Sequence, residues 1–413
     1  MLNNYMRRKA LILIIVTTLA ICAIHAFHAA NHNPMLGLNT QIVDSSKVSP
    51  QKLFEKNWQT VKNEYYDSSY NHQHWSRWKY RYQNKIKTAD DAKLATDTML
   101  ASLNDNYSRF LTKEEFALQN NSISSKIYGI GVNIINDAGK IKIINVIDQT
   151  PAQFANLKAG DIIIAVNDKK TSGMSVAEVA KLVKGPVNTF VNIEILRDKE
   201  KIKKQIIRKE ITIKTVKSSN DNGIGYIQIL SFISNTTPNE FLEALENTAD
   251  SKGLIIDLRG NTGGLLANAV FISNLFINKG KLVSIVGRHN YKYAIMAQNT
   301  NVNIDKPIII LVDGASASAS EIFSGAMKDY HRAKIVGTKT FGKGMVQKII
   351  PMPNETGLNL TIAKYLTPAG HDINKKGITP DVEIKFKKGD IASDTDIQLE
   401  IAKNLIKDSL AKK

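Results

Sequence analysis

The spacing of hydrophobic residues changes along the chain, and each pattern predicts a different kind of structure. Between residues 50 and 118, apolar side chains recur every three to four positions, as on one face of a helix. From about 120 to 205, short alternating runs separated by turns such as NDAGK indicate strands and hairpins. From 206 onward, nearly continuous apolar runs alternate with helical patterns. This last pattern is typical of an α/β core with a buried, largely parallel sheet.

The same patterns predict individual elements within these regions. In KLFEKNWQTVKNEYY one helical face carries Leu53, Trp58, Val61 and Tyr65. Apolar runs after residue 206 predict the strands IGYIQI, GLIIDL, KPIIILV, AKIVGT and MVQKIIP. Helical patterns between them predict the helices TPNEFLEALENTA, GGLLANAVFISNLFI and SEIFSGAMKDY.

A hydrophobic segment follows the basic residues at the N-terminus. MRRK precedes residues 10–27, which carry no formal charge and include the only cysteine, Cys22. This arrangement predicts a signal peptide or a membrane anchor within residues 1–30, with the N-terminus in the cytoplasm and the rest exported. Because the small-x-small cleavage signal is ambiguous, we favour an uncleaved anchor, with residues 31–49 as a polar linker.

Composition narrows the classes of function. Of the 413 residues, 43% are hydrophobic and 23% are charged, which fits a globular protein of two or three domains. The net charge of +17 is spread in mixed runs such as RDKEKIKK, which predicts a solvated basic surface rather than nucleic-acid binding. One cysteine, and eight histidines without an H-E-x-x-H spacing, predict neither disulfides nor a metal site. We also expect no cofactor.

The stretch DGASASASEIFSG places three serines at every second position between a predicted buried strand and a predicted helix. A serine at a helix N-terminus lies beside free N–H groups that favour developing negative charge. Ser318 and Glu321 also have the spacing of a capping box, which stabilises a helix without any catalysis. The stretch alone therefore leaves both capping and nucleophilic catalysis open.

Lys343 is the candidate base for such a serine. It lies in TFGKGMVQ between two glycines, which allow other backbone to approach closely. If residues 343–347 are extended, Lys343 and Gln347 share a face, and Gln347 can position the amine. A base must be neutral near pH 7, so its pKa has to fall from about 10.4 to about 7, which burial can achieve. The alternative is an ordinary turn lysine.

A glycine-rich turn in GLIIDLRGNTGGLL is the third candidate feature. It follows a predicted strand and precedes a predicted helix, so its backbone amides could form an oxyanion hole. Such a turn can also bind phosphate, but no Lys-Ser/Thr follows, which excludes a Walker A loop. Together, the serine, the lysine and the turn supply a nucleophile, a base and an oxyanion hole in one α/β domain.

The ordered motifs DLRGNTGG, GASASASE, GTKTFGKGMVQ and LTIAKYLTPAGHDINKKGITPDVE carry a family resemblance. Over roughly residues 50–385, the chain resembles the carboxyl-terminal processing (tail-specific) proteases of bacteria and chloroplasts. The resemblance implies an α/β, crotonase-like (ClpP/crotonase superfamily) protease core with an inserted PDZ domain and an N-terminal helical segment. The implied domains are a signal or anchor at 1–30, a linker at 31–49, a helical region at 50–118, a PDZ domain at 119–205, a Ser–Lys core at 206–388 and a helical tail at 389–413.

The resemblance also implies roles for individual residues of the core. Ser318 is the implied nucleophile, Lys343 the base and Gln347 the residue that orients the lysine. The implied oxyanion donors are Gly263, Gly264 and the backbone of Ala319. Asp329 matches an acidic position of the family, and there we expect a structural role. The departures from the family pattern, Asn106 for a proline and His371 for an arginine, lie outside the catalytic set.

YGIGV resembles the carboxylate-binding loop of PDZ domains, in which a peptide C-terminus adds as a strand to a sheet edge. The implied peptide-binding residues are Gly129, Ile130, Gly131, Val132, Val179 and Leu182. Arg197, at the end of the last predicted strand of this domain, stands where the family often keeps a basic residue that couples peptide binding to activation.

These features imply a serine endopeptidase that cleaves exported proteins recognised at their C-terminal tails. The implied location is the bacterial inner membrane with the catalytic part in the periplasm, or the periplasm itself if residues 10–27 are cleaved. Implied partners are proteins or peptides with free C-terminal tails, and further candidates are an adaptor lipoprotein and a second copy of the chain. Two other interpretations are a catalytically inactive PDZ scaffold on a protease-like fold and a crotonase-like acyl-CoA enzyme, which export disfavours.

Overall fold

The chain folds into two compact units. The structure, a computed structural model, describes residues 43–124, 126–300, 304–385 and 396–411. Unit 1 takes its described residues from Met1–Ile123 and Lys214–Lys413, and unit 2 consists of Ser124–Ile213. The predicted segment at 1–30 and most of the predicted linker lie outside the described residues. Within the described ranges, no helix has the length and apolar character needed to cross a membrane.

Unit 1 begins with a helical region that also contributes one strand. Its elements are α1 (Pro50–Glu64), α2 (Ser76–Arg81), α3 (Ala89–Ala101), β1 (Arg109–Leu111) and α4 (Lys113–Ile123). The predicted face of α1 is buried, with Leu53, Trp58, Val61 and Tyr65 all at 6% exposure or less. The indoles of Trp58 and Trp75 each donate to the other residue's carbonyl, at 3.1 and 3.2 Å. The sequence pattern did not predict β1, because its partner strand lies far away in the chain.

Unit 2 is a small β-rich unit. Its elements are β2 (Lys126–Gly129), β3 (Val132–Asp137), β4 (Lys140–Val146), α5 (Pro151–Phe154), β5 (Ile162–Val166), β6 (Lys169–Lys170), α6 (Val176–Val183), β7 (Phe190–Arg197), β8 (Glu200–Ile207) and β9 (Lys209–Thr212). The main sheet has the order β3-β4-β5-β7-β8, β6 pairs with β5, and β2 pairs with β9. The NDAGK turn joins β3 to β4, as predicted.

The basic run RDKEKIKK in unit 2 corrects one prediction. It comprises the turn after β7 and most of β8. Arg197 therefore ends β7, and the prediction that it ends the last strand of the domain is wrong, because β8 and β9 follow. The run has the charge density of a solvated surface, yet its backbone pairs with β7 while the lysine heads stay in water.

The rest of unit 1 contains two sheets. Its strands are β10 (Val216–Asp221), β11 (Ile224–Ile229), β12 (Gly253–Asp257), β13 (Lys281–Gly287), β14 (Lys292–Met296), β15 (Ile308–Val312), β16 (Lys334–Gly337), β17 (Met345–Met352), β18 (Thr356–Leu366) and β19 (Val382–Glu383). Its helices are α7 (Thr237–Asn247), α8 (Leu266–Asn274), α9 (Ala319–Asp329) and α10 (Ile397–Ala411).

The first sheet has the order β10-β11-β12-β15-β16-β19 and is parallel except for the β10–β11 pair. Every residue of β12 and of β15 is buried, which explains their continuous apolar sequences. The turns that follow these two strands carry the glycine-rich and serine-rich motifs. Since parallel strands end at the same edge, both motifs lie at one edge of this sheet.

The second sheet was not predicted. In it, β1 pairs with the first part of β18, β13 pairs with its last part, and β17 pairs with most of its length, while β14 pairs with β13. MVQKIIP, predicted as one strand of a core with a largely parallel sheet, forms β17, which belongs to this second sheet and runs antiparallel to β18. Helices α1 and α4 pack on β18. Because this packing buries residues on both faces of the strand, its sequence is a nearly continuous apolar run and does not alternate with polar residues.

Helix α10 is tied to the parallel sheet by an ion-pair network. Arg259 donates to Asp257, whose carboxyl is 1% exposed, at 2.6 Å, and to Asp396, just before α10, at 2.7 Å. Asp257 also accepts a hydrogen bond of 2.7 Å from Tyr226, and Arg259 donates to Gln398 at 3.2 Å. The network therefore compensates the burial of the Asp257 charge and fastens the start of α10.

We expect Arg259→Met to lower the free energy of unfolding by about 3 kcal/mol, because it leaves the buried Asp257 carboxylate without its cation. Asp396→Asn should cost less than about 1 kcal/mol, since this carboxyl is more exposed and Asp257 keeps its partner. Denaturant unfolding of the full chain, followed by circular dichroism, measures both values. Equal losses in the two variants would contradict this assignment of the network.

Candidate active site

The three serines of the DGASASASEIFSG stretch occupy different environments. Ser316 is buried, and its hydroxyl donates to the carbonyl of Leu258 at 2.8 Å. Ser320 is also buried, and its hydroxyl donates to the carbonyl of Asn261 at 2.9 Å. Ser318, between them, is half-buried and lines a cleft. The alternation therefore commits the outer serines to structure and presents the middle one to the cleft.

Ser318 sits on a strained turn between β15 and α9. Its φ of 57° and ψ of −114° lie outside the favoured regions for a residue with a side chain. Such a conformation costs about 1–3 kcal/mol and persists where the surrounding structure enforces it. A serine on a sharp strand-to-helix turn is also the arrangement that exposes the nucleophile in α/β-hydrolases.

Glu321 fixes the backbone on both sides of the cleft. Its side chain is fully buried, and Oε2 accepts hydrogen bonds from the amide of Ser318 at 2.8 Å and from the amide of Lys343 at 2.9 Å. Oε1 accepts from the Thr340 hydroxyl at 2.6 Å and from the Gly342 amide at 2.7 Å. The capping spacing seen in the sequence is therefore real, and the same carboxylate also holds the loop that carries the lysine.

Tyr365, on β18, ties the same two residues through their carbonyls. Its hydroxyl lies 2.6 Å from the carbonyl oxygen of Lys343 and 3.1 Å from that of Ser318. The side chain is 1% exposed, and burial raises the pKa of the phenol well above its usual value. The hydroxyl therefore stays protonated, and its one proton is shared between the two carbonyls, with the shorter contact to Lys343.

The glycine turn after β12 packs directly against Ser318. A Cβ on Gly263 would lie 2.8 Å from the Cβ of Ser318 and 2.9 Å from the amide nitrogen of Ala319. A Cβ on Gly264 would lie 2.2 Å from the backbone of Phe232. Both glycines have positive φ, at 100° and 150°. Glycine is thus required here by close approach as well as by conformation.

The amides at this turn are not equivalent. The Gly263 amide donates to Oδ1 of Asn261 at 2.9 Å, so it is already used. The amides of Gly264 and Ala319 donate to no other residue in the described part of the chain. Of the three predicted oxyanion donors, Gly264 and Ala319 are therefore available, and Gly263 supplies the close approach.

Lys343 is half-buried and lies in the same cleft. Its Nζ is 4.8 Å from the centre of the Tyr107 ring, a contact that favours the ammonium form. Burial nevertheless lowers the pKa of Lys343, and the positive charge of Arg109 lowers it further. The carboxylate of Asp105 has the opposite effect on this pKa, smaller than that of burial. The environment therefore moves this amine toward the neutral form that a base requires.

Gln347 lines the cleft but does not share an extended segment with Lys343. Strand β17 begins only at Met345, and its register with β18 shifts between Val346 and Gln347. The condition that residues 343–347 form one strand is therefore met only from Met345 onward, and Glu321 holds the backbone amide of Lys343 before it. The Gln347 amide donates to the hydroxyl of Thr361 at 3.4 Å.

The cleft as a whole has a volume of about 830 Å³ and lies within unit 1. It brings together the predicted residues Ser318, Lys343, Gln347, Gly263 and Gly264. Asp329 does not line it, and its carboxylate accepts a hydrogen bond from the Ala369 amide at 2.8 Å, which is a structural contact.

Sequence reasoning missed three residues of the cleft and its supports. Tyr107 follows Asn106 in a segment of the family pattern but had no assigned role, because it lies more than two hundred positions before the lysine. Tyr365 lay inside a quoted motif without an assigned role, and Glu321 was assigned only to capping. Their shared feature is contact across distant segments, which spacing along one chain does not reveal.

The predicted peptide-binding residues lie in unit 2, where they divide into core and surface positions. Ile130 and Val179 are fully buried in its core, whereas Val132 and Leu182 are only partly buried. The amides of Ile130 and Gly131 donate to no other residue within the described ranges. The loop therefore has free donors beside β3, which is the outer strand of its sheet.

Arg197 makes its contacts inside unit 2. Its guanidinium forms a two-point ion pair with Asp161, at 2.6 and 2.7 Å, and donates to the carbonyl of Asn156 at 2.8 Å. The Asp161 carboxyl is 1% exposed, and the pair raises the pKa of Arg197. In this structure Arg197 therefore satisfies a buried carboxylate of its own unit.

Comparisons with known proteins match both units. A family model described as peptidase family S41 matches residues 223–384, and a PDZ domain model matches residues 129–207. A carboxyl-terminal-processing protease of Synechocystis sp. is 32% identical over 376 residues, which cover 87% of this chain and 88% of that protein. A carboxy-terminal-processing protease of Bartonella bacilliformis is 37% identical over 312 residues, covering 73% of this chain and 71% of that protein.

A solved structure is also similar over most of its length. It is that of a photosystem II D1 C-terminal processing protease, with 30% sequence identity and a TM-score of 0.54. The similarity covers 82% of this chain and 94% of that one.

The charges around Lys343 predict opposite effects of two neutral substitutions on its pKa. Asp105→Asn should lower this pKa further, because it removes a carboxylate that favours the ammonium form. Arg109→Gln should raise it, because it removes a cation that disfavours that form. The pH dependence of reductive methylation at Lys343, followed by mass spectrometry, measures the shifts. Shifts of the same sign in both variants would contradict the electrostatic assignment.

Proposed function

The chain belongs to peptidase family S41, the family of the carboxyl-terminal-processing serine proteases, and from that premise we propose that Ser318 and Lys343 form its catalytic dyad. The observation that carries the proposal is the buried Glu321, whose one carboxylate oxygen accepts from the amides of both residues. A structural cap would need only the bond to Ser318. The second bond brings a lysine from a distant loop to the same cleft.

In the proposed reaction, neutral Lys343 takes the proton of the Ser318 hydroxyl as the oxygen attacks the scissile carbonyl. The amides of Gly264 and Ala319 then stabilise the oxyanion of the tetrahedral intermediate. Lys343 next returns the proton to the leaving amine, and a water molecule hydrolyses the acyl-enzyme by the reverse sequence. We assign the orientation of the amine to Gln347, whose own amide is held by Thr361.

The architecture supports a crotonase-like core for this chemistry. Helices α7, α8 and α9 pack on one face of the parallel sheet and α10 packs on the other. The proposed nucleophile and oxyanion turn follow two adjacent strands, β15 and β12. We extend the proposal to the domain plan, with the helical region before the PDZ domain, the Ser–Lys core after it and the helical tail as its last element.

We also propose that the PDZ domain recognises free C-terminal tails. The support is the combination of the open strand edge of β3 with the free amides of Ile130 and Gly131, which suit a terminal carboxylate. Val132 and Leu182, both partly buried, would receive the last side chain. The substrates we propose are exported proteins, and an adaptor lipoprotein or a second copy of the chain would be further partners.

The three alternating serines allow a test of the nucleophile with matched controls. Ser318→Ala should reduce the cleavage of unfolded β-casein by about 10⁴-fold or more, with little change in stability. Ser316→Ala and Ser320→Ala should each cost about 1–2 kcal/mol in unfolding free energy, because each removes a buried hydrogen bond, while cleavage persists. Gel-based cleavage assays and denaturant unfolding measure the two effects.

If Ser318→Ala cleaved at the wild-type rate, the nucleophile assignment would be wrong. If the wild-type chain itself cleaved nothing, the inactive PDZ scaffold would be the better interpretation.

Tail recognition predicts a dependence on the terminal carboxylate. A labelled peptide with an apolar last residue and a free C-terminus should bind the Ser318→Ala chain about tenfold more tightly than the same peptide with a terminal amide. Leu182→Glu should weaken the binding, whereas Phe190→Glu, on β7 and away from β3 in the sheet order, should not. Fluorescence anisotropy measures these affinities, and equal binding of both peptides would count against the proposal.

A further inference from the structure

One wall of the active-site cleft carries a polar cluster that the proposed reaction does not use. It consists of Arg109 on β1, Gln119 on α4 and Asn359 on β18, all of which line the cleft. Gln119 and Asn359 exchange two amide hydrogen bonds, of 3.1 and 2.9 Å. Arg109 donates to the Gln119 oxygen at 3.4 Å, a long bond to an atom that already accepts from Asn359. We call these residues the Arg109 cluster.

The guanidinium of Arg109 is exposed to the cleft and has no carboxylate partner. Among the described residues, no acidic group lies within ion-pair distance of it. Glu115, the acidic residue that also lines the cleft, uses its carboxylate to accept from the Thr112 amide at the start of α4. An arginine has five N–H donors in a planar fork, so most of the Arg109 donors are available to a ligand in the cleft.

Strand register places the cluster one step from the catalytic end of the cleft. Arg109 lies opposite Asn359, which in turn lies opposite Ile349 on β17. Two residues away on the same strands, Gln347 lies opposite Thr361. Residues directly opposite each other share a face of the sheet, and two positions along a strand span about 7 Å. Arg109 therefore faces the cleft about one dipeptide step from the row that contains Gln347.

Strand β17 offers a place for the substrate main chain beside this wall. Its partner β18 lies on one side, and on the other side β17 pairs with no strand of the described part of the chain. Its residues Met345, Val346, Gln347 and Ile349 line the cleft. An extended peptide can add to such an edge through main-chain hydrogen bonds, and its side chains then reach pockets in the neighbouring wall.

Resting on the proposed protease function, we propose that Arg109 selects substrates by binding a carboxylate of the peptide that lies along β17. The carboxylate belongs to an Asp or Glu side chain a few residues from the scissile bond, or to the C-terminus of a short segment beyond that bond. Gln119 and Asn359 are positioning residues, since their mutual amide bonds fix the oxygen to which Arg109 donates. The chain is thus a protease whose cleft prefers an acidic group near the cut.

The test uses peptides derived from a cleavage site that mass spectrometry identifies in β-casein. Each position within four residues of the cut is changed in turn to Asp, Asn or Lys, with the C-terminus either free or amidated. We expect kcat/KM to be about tenfold higher for Asp than for Asn at one or two positions, as for a charge-assisted hydrogen bond. A preference that follows the free C-terminus instead identifies the terminal carboxylate as the ligand.

Variants then assign the preference to Arg109. Arg109→Gln should reduce the acidic-to-neutral ratio to near one, and Arg109→Glu should shift the preference toward Lys. Arg81→Gln, an exposed arginine that does not line the cleft, should leave the ratio unchanged. The ratio compares two peptides on one enzyme, so a change in the pKa of Lys343 cancels.

An unchanged ratio in Arg109→Gln, or equal rates for all charge variants in the wild type, would overturn the inference while leaving the protease function intact. No cleavage of any peptide by the wild-type chain would instead contradict the proposed function, and this inference with it.

Discussion

The carboxylate of Glu321 is buried and accepts four hydrogen bonds, and two of the donors are the backbone amides of Ser318 and Lys343. A buried charge is costly unless donors surround it, and here the donors come from both loops of the cleft. The first turn of α9 also favours a negative charge at this position. The relative position of Ser318 and Lys343 therefore depends on one carboxylate that accepts from the backbone amides of both.

Tyr365 also contacts the backbone of Ser318 and Lys343, so that Glu321 and Tyr365 together clamp these two residues. Glu321 accepts hydrogen bonds from the amides of Ser318 and Lys343, and the Tyr365 hydroxyl lies within hydrogen-bond distance of the carbonyls of the same two residues. The clamp explains how Ser318 can hold a strained conformation, since the neighbouring backbone is fixed on both sides. It also links the two sheets, because Glu321 lies beside the parallel sheet and Tyr365 belongs to the antiparallel one.

The two sheets supply different parts of the cleft. The parallel sheet brings the serine turn and the glycine turn to one edge. The antiparallel sheet supplies the strand after the lysine loop and the wall that carries Arg109 and Asn359. Opposing effects act on the pKa of Lys343: burial and Arg109 disfavour its ammonium form, and Asp105 favours it. The environment of Lys343 is thus built from segments that are far apart in the chain.

The sequence by itself determined the parallel strands, the helices between them and the β-rich unit 2, because continuous and alternating apolar runs reflect burial that is local to each element. It also indicated Ser318, Lys343 and the glycine turn, since these occur in ordered motifs with special residues. It did not determine the antiparallel sheet, because β1 and β13 meet β18 through pairings between distant segments that leave no local pattern. Only the tertiary structure decided that the Gly263 amide donates to Asn261 and that the Tyr107 ring lies over the Lys343 amine. It also decided that the Glu321 carboxylate accepts from the amides of both Ser318 and Lys343. Such contacts depend on which atoms the fold brings within about 3 Å, and residue spacing along the chain does not specify that distance.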